Sequence, residues 1–235
     1  MVNRNIINGI EIFKLADNQD NVRSMFNVLH RAKESMINPK MMHYVAEIDQ
    51  VNLFPKRFIQ AFKEIFKSEW KINEKKRKKR NCGARKRSIP DLEIIYSVES
   101  KLIERDDGSG ELAPYRFNHI HIMLIVDIGY GRYGKKEINH IVNCTLNRIQ
   151  GLEIKELEDD FSIGFLKFRK HEYMTAEYQD LYWHDLKLEF SDAVKRASYL
   201  CKTSQKSMLP NRFVRCSFNV TRMTKSKNFE CEAAA

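Results

Sequence analysis

Two histidines in one apolar segment are the first residues of this sequence that could do chemistry. His119 and His121 lie in RFNHIHIMLIVDI (116–128), a segment rich in β-branched and aliphatic residues that predicts a strand. Side chains at i and i+2 of a strand point to the same face, so both imidazoles would be spaced to bind one divalent ion. Met123 and Ile125 continue that face, and two histidines there are costly to bury unless they have a partner. The pair alone leaves metal binding open.

An acidic residue on the preceding strand would complete such a site. If the hairpin turns near Gly108, paired residue numbers sum to about 216, which places Glu99 opposite residue 117 on the histidine face. A slip of one residue, which a bulge at Pro114 would cause, would remove this placement. An exposed strand-end carboxylate is the alternative interpretation of Glu99. The alternative ligands are Glu93, Glu111 and Asp49. A His–His–Glu set suits Mg²⁺ or Mn²⁺ with open positions for phosphate oxygens.

A tyrosine on the polar side of a predicted helix is the next candidate. In HDLKLEFSDAVKRASYLCKTS (184–204), apolar residues recur at helical spacing, and at about 100° per residue Tyr199 falls nearly opposite their stripe. Lys202 would lie beside it on the surface, and Lys206 on the same face. The ammonium favours phenolate and stabilises developing phosphate charge, so Tyr199 would be a nucleophile and Lys206 a second phosphate contact. The alternatives are a core aromatic and, for the lysines, a solvated helix end.

One short segment carries most of the net charge. The chain has 41 Lys and Arg against 31 Asp and Glu, a net charge of +10, and residues 71–90 hold ten of the basic residues and one of the acidic. Because Lys and Arg placed on phosphates release counterions, this run indicates a polyanion contact; the alternative is a solvated linker. The predicted nucleic-acid contacts are Lys75, Lys76, Arg77, Lys78, Lys79, Arg80, Arg85, Lys86, Arg87 and, from the last helix, Lys206.

Composition excludes several classes of protein. With 235 residues, 43% hydrophobic and 31% charged, the chain is typical of a globular protein and unlike collagen-like, mucin-like or disordered sequences. No apolar run approaches the roughly 20 residues of a membrane span. The start, MVNRNIING, lacks the apolar core of a signal peptide, so we expect a cytoplasmic protein. Five scattered cysteines without a CxxC pair fit neither a disulfide framework nor a zinc knuckle.

Periodicity predicts the elements that would position these residues. Helical spacing occurs in NVRSMFNVLHRAK (21–33), KRFIQAFKEIFKSEW (56–70), KEINHIVNCTLNRI (136–149) and the segment 184–204. The predicted strands are 42–51, 92–104, 116–128, 163–170 and 217–222. This order predicts an α+β fold, a largely antiparallel sheet with helices packed mainly on one face. We divide the chain into a helical segment (1–40), a main domain (41–222) with the basic insertion 71–90, and a tail (223–235).

Two stretches together resemble a known family. F-N-H-I-H-I-M-L-I-V and, later in the chain, R-A-S-Y-L-C-K-T-S-Q-K resemble the HUH endonucleases, which carry His-hydrophobe-His and Tyr-x-x-Lys motifs. More narrowly, the sequence is similar over about residues 42–222 to the inovirus gene-II-type replication proteins of filamentous phages and prophages. The resemblance implies an HUH/Rep-like nuclease domain, a five-stranded antiparallel sheet with a metal site, and a bacterial cytoplasmic location.

The resemblance also implies a reaction. Such a protein starts rolling-circle replication as a site-specific endonuclease of single-stranded or origin DNA, with host replication proteins as further expected partners. Its tyrosine attacks a DNA phosphate, forms a 5′-phosphotyrosine link and frees a 3′-hydroxyl. By position, His119 and His121 match the metal histidines, Tyr199 the nucleophile and Lys202 the motif lysine. Position 203 is Thr, so no second tyrosine lies one helical turn on, which favours a single-tyrosine mechanism.

Two other functions stay open on the sequence. A non-enzymatic DNA-binding regulator with this fold would carry the motifs as relics and use the basic run as its functional surface. A metal-independent RNA nuclease on a similar α+β sheet is the other. A relic is expected to lose some of the motif residues, so the joint presence of His119, His121, Tyr199 and Lys202 favours the enzyme.

Overall fold

Helices and strands are interspersed along the residues that the structure, a computed structural model, describes: 6–106, 110, 112–130, 133–153, 183–204, 206–213 and 216–222. The helices are α1 (Gln19–Ser35), α2 (Phe58–Arg80), α3 (Lys135–Asn147) and α4 (Phe190–Ser198), with 3-10 turns at Tyr199–Cys201 and Asn211–Phe213. The strands are β1 (Ile6–Ile7), β2 (Ile10–Glu11), β3 (Pro39–Ile48), β4 (Leu92–Asp106), β5 (Leu112–Asp127), β6 (Leu152–Glu153), β7 (His184–Asp185) and β8 (Phe218–Val220). Within these ranges no helix has the length and apolar character needed to cross a membrane.

Five strands form one antiparallel sheet in the order β6-β3-β5-β4-β8, and β7 pairs with β3 as well. The α+β class and a five-stranded antiparallel sheet are therefore confirmed. The strand predicted at 163–170 lies outside the described residues, and the short β6, which was not predicted, is one of the five strands, at the edge next to β3. β3, β4 and β5 are the long strands at the centre, and they carry the candidate site.

The β4–β5 register differs from the predicted one by an even number of residues. The ladder runs from Leu92 opposite Val126 to Asp106 opposite Leu112, and Pro114 pairs with Glu104 inside it, so no bulge interrupts the ladder there. Glu99 lies opposite His119, not residue 117. Because side chains alternate between faces with a period of two, a shift of two residues keeps Glu99 on the histidine face.

Both faces of the sheet are covered by helices, so the prediction of helices mainly on one face is wrong. Ile120, Ile122 and Leu124 share a core with apolar residues of α2 and α3. Met123 and Ile125 share a second core with α1 and α4. β5 is apolar at both alternating sets of positions, and a strand of that kind must be buried on both sides. Helix α1 thus packs on the same sheet as α2, α3 and α4.

The second helix is longer than predicted, because it continues through the first half of the basic run to Arg80. Lys, Arg and Glu favour helix, and the segment 58–80 contains neither Pro nor Gly. Its buried phenylalanines Phe58, Phe62 and Phe66 contact one another in a row and pack against the sheet. The basic run is therefore half helix and half loop.

The last helix is shorter than the predicted 184–204. Asp185 pairs as part of β7, and its Oδ1 accepts the backbone N–H groups of Lys187 at 2.9 Å and Leu188 at 3.3 Å. An aspartate that bonds the backbone two residues on forms a turn instead of a helix. Helix α4 begins only at Phe190 and tightens after Ser198 into the 3-10 turn.

Candidate metal and tyrosine site

The sheet register brings one carboxylate and two imidazoles together. Glu99 Oε2 lies 3.3 Å from His121 Nε2 and 3.7 Å from His119 Nε2. The three residues each offer a ligand atom, and these atoms lie within 4.8 Å of one another. Glu99 is fully buried and the two histidines are 3% and 4% exposed. This cluster could hold a metal ion.

The donor atoms of the cluster fit a cation. Glu99 Oε1 and His121 Nε2 are buried and have no hydrogen-bond partner in the part of the chain that the structure describes. Buried polar atoms are normally satisfied, and a ligand bound by the cluster would account for these two unsatisfied atoms. One carboxylate with two imidazole nitrogens is a common donor set for a divalent metal.

Lys202 belongs to the same cluster, and its predicted surface position is wrong. Its side chain is buried, and Nζ lies 2.9 Å from Glu99 Oε2 and 3.6 Å from the ring centroid of Tyr199. The 3-10 turn accounts for this geometry, since residues i and i+3 eclipse in a 3-10 helix. The lysine therefore neutralises the buried carboxylate instead of lining a solvated helix end.

The charges around Glu99 favour the protonation states that a metal site needs. Burial opposes ionisation of Glu99, but His119, His121 and Lys202 outweigh it and hold the pKa of this carboxyl well below its usual range. Burial lowers the pKa of His121, although Glu99 acts in the opposite direction. An ionised carboxylate and a neutral imidazole are the forms that coordinate a cation.

Tyr199 lies against the cluster and is half-buried, not fully on the surface. Its ring meets the ring of His121 edge to face at 5.3 Å between centroids, and the ring of Phe13 contacts it in the same type of arrangement at 5.2 Å. The chain thus brings Tyr199, Lys202, His121 and Glu99 to one place from three separate elements. A helical wheel could place Tyr199 opposite the apolar stripe, but it could not show that a sheet strand lies next to it.

Sequence reasoning missed His43, which contacts the cluster, and Arg196, which contacts His43. His43 on β3 is buried, and its Nε2 lies 3.0 Å from His121 Nδ1. Arg196 on α4 places Nη2 3.1 Å from His43 Nδ1. Burial, with His121 and Arg196 nearby, lowers the pKa of His43 well below the usual range. The available signal was the position of His43 inside the predicted strand 42–51. The sequence did not show that this strand pairs with the strand that carries His121.

These contacts determine which nitrogen of each ring carries the proton. A guanidinium only donates, so His43 Nδ1 accepts from Arg196 and His43 Nε2–H donates to His121 Nδ1. The neutral His121 ring then carries its own proton on Nε2, toward Glu99. For Nε2 to bind a cation as a neutral imidazole, the His121 proton would have to move to Nδ1 and His43 Nε2 would have to accept it in a hydrogen bond.

Comparisons with known proteins do not assign the chain to a family. No family model, no curated protein and no solved structure matches it. The likeness to the HUH endonucleases therefore stays a resemblance of motifs, and the function has to be argued from the site.

The remaining predicted ligands and phosphate contacts lie elsewhere. Glu93 pairs with Arg31 at 3.0 Å, Asp49 is exposed outside the cluster, and Glu111 lies outside the described residues. Lys206 is half-buried, with Nζ 5.5 Å from the ring centroid of Phe218. Burial lowers its pKa, against the opposing effect of Glu99. Lys206 thus lies on the side of the cluster toward β8.

Two arginines of the basic run bind carboxylates of the protein itself. Arg77 contacts Glu74 at 2.8 Å, while Arg87 contacts Glu74 at 2.6 Å and Glu137 at 2.5 Å. The Arg87 guanidinium also lies 5.3 Å from the ring centroid of Trp70. These two arginines hold the loop after α2 against α2 and α3. The exposed members of the predicted contact set are Lys75, Lys76, Lys78, Lys79, Arg80, Arg85 and Lys86.

Proposed function

We propose that this chain is a metal-dependent endonuclease of single-stranded DNA in which Tyr199 is the nucleophile. The observation that carries the proposal is the packing of Tyr199 and Lys202 directly against the Glu99–His119–His121 cluster. A phenol, a cation and a metal-binding set are the three components that tyrosine attack on a phosphodiester requires. The resemblance to the HUH endonucleases supports the same assignment.

In the proposed reaction the Tyr199 oxygen attacks the scissile phosphorus and loses its proton to solvent. A phosphorus–oxygen bond to the tyrosine forms, the bond to the 3′-oxygen breaks, and that oxygen takes up a proton. The products are a 5′-phosphotyrosine link and a free 3′-hydroxyl. A bound Mg²⁺ or Mn²⁺ would polarise the phosphate, and Glu99, His119 and His121 are the residues that would hold it.

The residues around the ion have distinct proposed roles. Lys202 stabilises negative charge that develops on the phosphate, since its ammonium already lies over the Tyr199 ring. His43 orients the ring of His121. The exposed part of the basic run holds the DNA strand. In the wider proposal, the free 3′-hydroxyl primes rolling-circle replication of a phage or prophage in the bacterial cytoplasm.

One observation favours a second function, a DNA-binding regulator without nuclease activity. The Lys202 ammonium lies within ion-pair distance of Glu99, so the cluster is already neutralised by the protein itself. A relic of a metal site would be stabilised in this way. Such a protein would bind DNA through the basic run and leave no covalent product.

A covalent-trapping experiment separates the two functions. Wild-type protein is incubated with Mn²⁺ and a random-sequence library of single-stranded DNA, and adducts that survive SDS are isolated and sequenced. The nuclease predicts an adduct on Tyr199, identified by peptide mass, and none with Tyr199→Phe. Tyr130→Phe, which removes the hydroxyl of an exposed tyrosine, is the matched control and keeps the adduct. If wild-type protein binds the library but forms no covalent adduct, the result supports the DNA-binding regulator.

A further inference from the structure

A basic groove beside α2 has no part in the reaction proposed above. It is a cavity of about 630 Å³ between the first turns of α2 and strand β8. The cations that line it are Lys56, Arg57, Lys63, Lys67 and Arg222, and the carboxylate among its lining residues is Glu64. A groove with charge of mainly one sign attracts and concentrates anions.

The groove opens onto a row of lysines along α2. At about 100° per residue, Lys63, Lys67, Lys71, Lys75 and Lys78 fall within a sector of about 120°. At about 1.5 Å per residue this row is about 22 Å long. All of these lysines except the half-buried Lys63 are exposed. Glu64 and the buried Glu74 fall in the same sector, but the exposed charges of the sector from Lys67 to Lys78 are all positive, and they connect the groove to the basic run.

The floor of the groove is apolar. Ile59 and Val220, both half-buried, line it together with Phe58. β8 is the last strand in the order of the sheet, so its outer backbone edge is unpaired among the strands that the structure describes. A single strand of nucleic acid offers unpaired bases to apolar surface as well as phosphates to cations, whereas a duplex keeps its bases inside. The combination of apolar and cationic side chains in the groove therefore favours a single strand of nucleic acid over a duplex.

The same edge strand connects the groove to the metal cluster. The Lys206 ammonium lies near the ring of Phe218, the first residue of β8, and it interacts electrostatically with the Glu99 carboxylate. Val220, in the groove, is two residues further along, which is about 7 Å on a strand. One nucleic-acid strand that crosses β8 would reach both places.

We infer that this groove and the lysine row of α2 bind the backbone of single-stranded DNA. The inference deepens the proposed function, on which it rests for the identity of the strand as DNA. It adds the contacts of Lys56, Lys67 and Arg222 to those of the basic run, and it puts the bound strand on the β8 side of the sheet.

Binding to labelled oligo(dT), measured by fluorescence anisotropy, tests the inference. All proteins carry Tyr199→Phe and the buffer contains EDTA, so no cleavage occurs. The groove variant is Lys56→Gln with Lys67→Gln, and the control is Lys136→Gln with Lys187→Gln; all four lysines are exposed and both variants lose two charges. We expect the groove variant to bind about tenfold more weakly, with a salt slope smaller by about 1.4, since each single-strand phosphate contact contributes roughly 0.7. The control should change affinity by less than about twofold.

Other results of the binding experiment would overturn specific parts of the inference. Equal weakening in both variants would show an effect of net charge alone and overturn the inference, as would unchanged binding in the groove variant. A larger loss for duplex DNA, or for phosphatidylserine vesicles, than for oligo(dT) would overturn the single-strand assignment. Failure of covalent trapping with a positive groove result would reject the nuclease and leave the groove as a DNA contact.

Discussion

Lys202 Nζ lies 2.9 Å from Glu99 Oε2, inside the cluster that would bind a metal ion. Both side chains are buried, so the ammonium compensates a carboxylate that would otherwise be an isolated charge in the protein interior. The same oxygen is the nearest carboxylate atom to both histidines. Lysine and metal ion therefore compete for one carboxylate, and several measurable effects depend on that competition.

Replacement of Lys202 by Met should make the protein more dependent on metal. Without the ammonium, Glu99 is a buried carboxylate that has lost its ion-pair partner. Breaking a buried ion pair in this way costs about 3–5 kcal/mol of unfolding free energy. Mn²⁺ would then stabilise Lys202→Met more than wild type, since it no longer displaces a cation. Thermal unfolding in EDTA and in Mn²⁺ measures both effects. Lys202→Arg is the control that keeps the charge. The competition is rejected if Mn²⁺ raises the Tm of the Met variant and wild type equally.

His43 and Arg196 should both weaken metal binding, because together they keep the His121 proton on Nε2. His43→Leu removes the N–H that donates to His121 Nδ1, so His121 can carry its proton on Nδ1 and leave Nε2 open to the metal, and we expect Mn²⁺ binding to become tighter. Arg196→Met frees His43 Nδ1 to carry a proton. His43 Nε2 can then accept from His121 Nδ1, which leaves His121 Nε2 open to the metal, and Mn²⁺ binding should become tighter.

Isothermal titration with Mn²⁺ measures these two affinities. His30→Leu, a substitution of a histidine outside the cluster, is the control and should leave the affinity unchanged. Weaker binding in both variants would show that His43 and Arg196 only support packing, and that the assigned proton positions are wrong.

Removal of the metal or of one ligand should abolish cleavage and leave DNA binding nearly intact. His121→Ala deletes a cluster ligand, while the exposed basic residues that supply affinity are unchanged. We expect no nicked product from His121→Ala, or from wild type in EDTA, with an oligonucleotide Kd within about threefold of wild type, because the affinity comes from phosphate contacts. His140→Ala, an exposed histidine, is the matched control. Full nicking in EDTA would refute the metal requirement.

Glu74 should contribute to acid unfolding. Hydrogen bonds from Arg77, against the effect of burial, and from Arg87 lower the pKa of Glu74 from 4.5 to about 2. A carboxyl with a depressed folded-state pKa stabilises the fold above its unfolded pKa, and that stability is lost as the pH falls toward about 2. Glu74→Gln should therefore lose less stability than wild type between pH 6 and pH 3. Urea unfolding at both pH values measures the difference.

The control for this pH effect is Glu34→Gln, which changes an exposed carboxyl and should keep the pH dependence of wild type. If Glu74→Gln and wild type lose equal stability over this interval, the Glu74–Arg77–Arg87 contacts are not a source of the acid sensitivity.

The alternation of side chains along strands made the metal cluster predictable. Glu99, His119 and His121 share a face because each strand has a period of two, and the register could differ by two residues without moving Glu99 to the other face. The positions of α1, α3 and the long strands followed from periodicity in the same way. Local rules of this kind depend only on residue spacing, so one sequence is enough to apply them.

The end points of helices were less predictable. The second helix continued through the basic run since nothing in its residues ended it, and the last helix began late because Asp185 bonded the backbone ahead of it. Competing local hydrogen bonds of this kind decide boundaries, and composition does not show which of them forms.

The sequence by itself determined the sheet face of Glu99, His119 and His121, the strand and helix types, and the concentration of charge in residues 71–90. Only the tertiary structure decided that Lys202 is buried against Glu99, that His43 contacts the cluster and Arg196 contacts His43, and that Arg87 is bound by Glu74 and Glu137. The reason is physical. Spacing along the chain specifies which side of an element a residue takes, whereas burial and ion pairing depend on which elements pack against that side, and those contacts join residues far apart in the sequence.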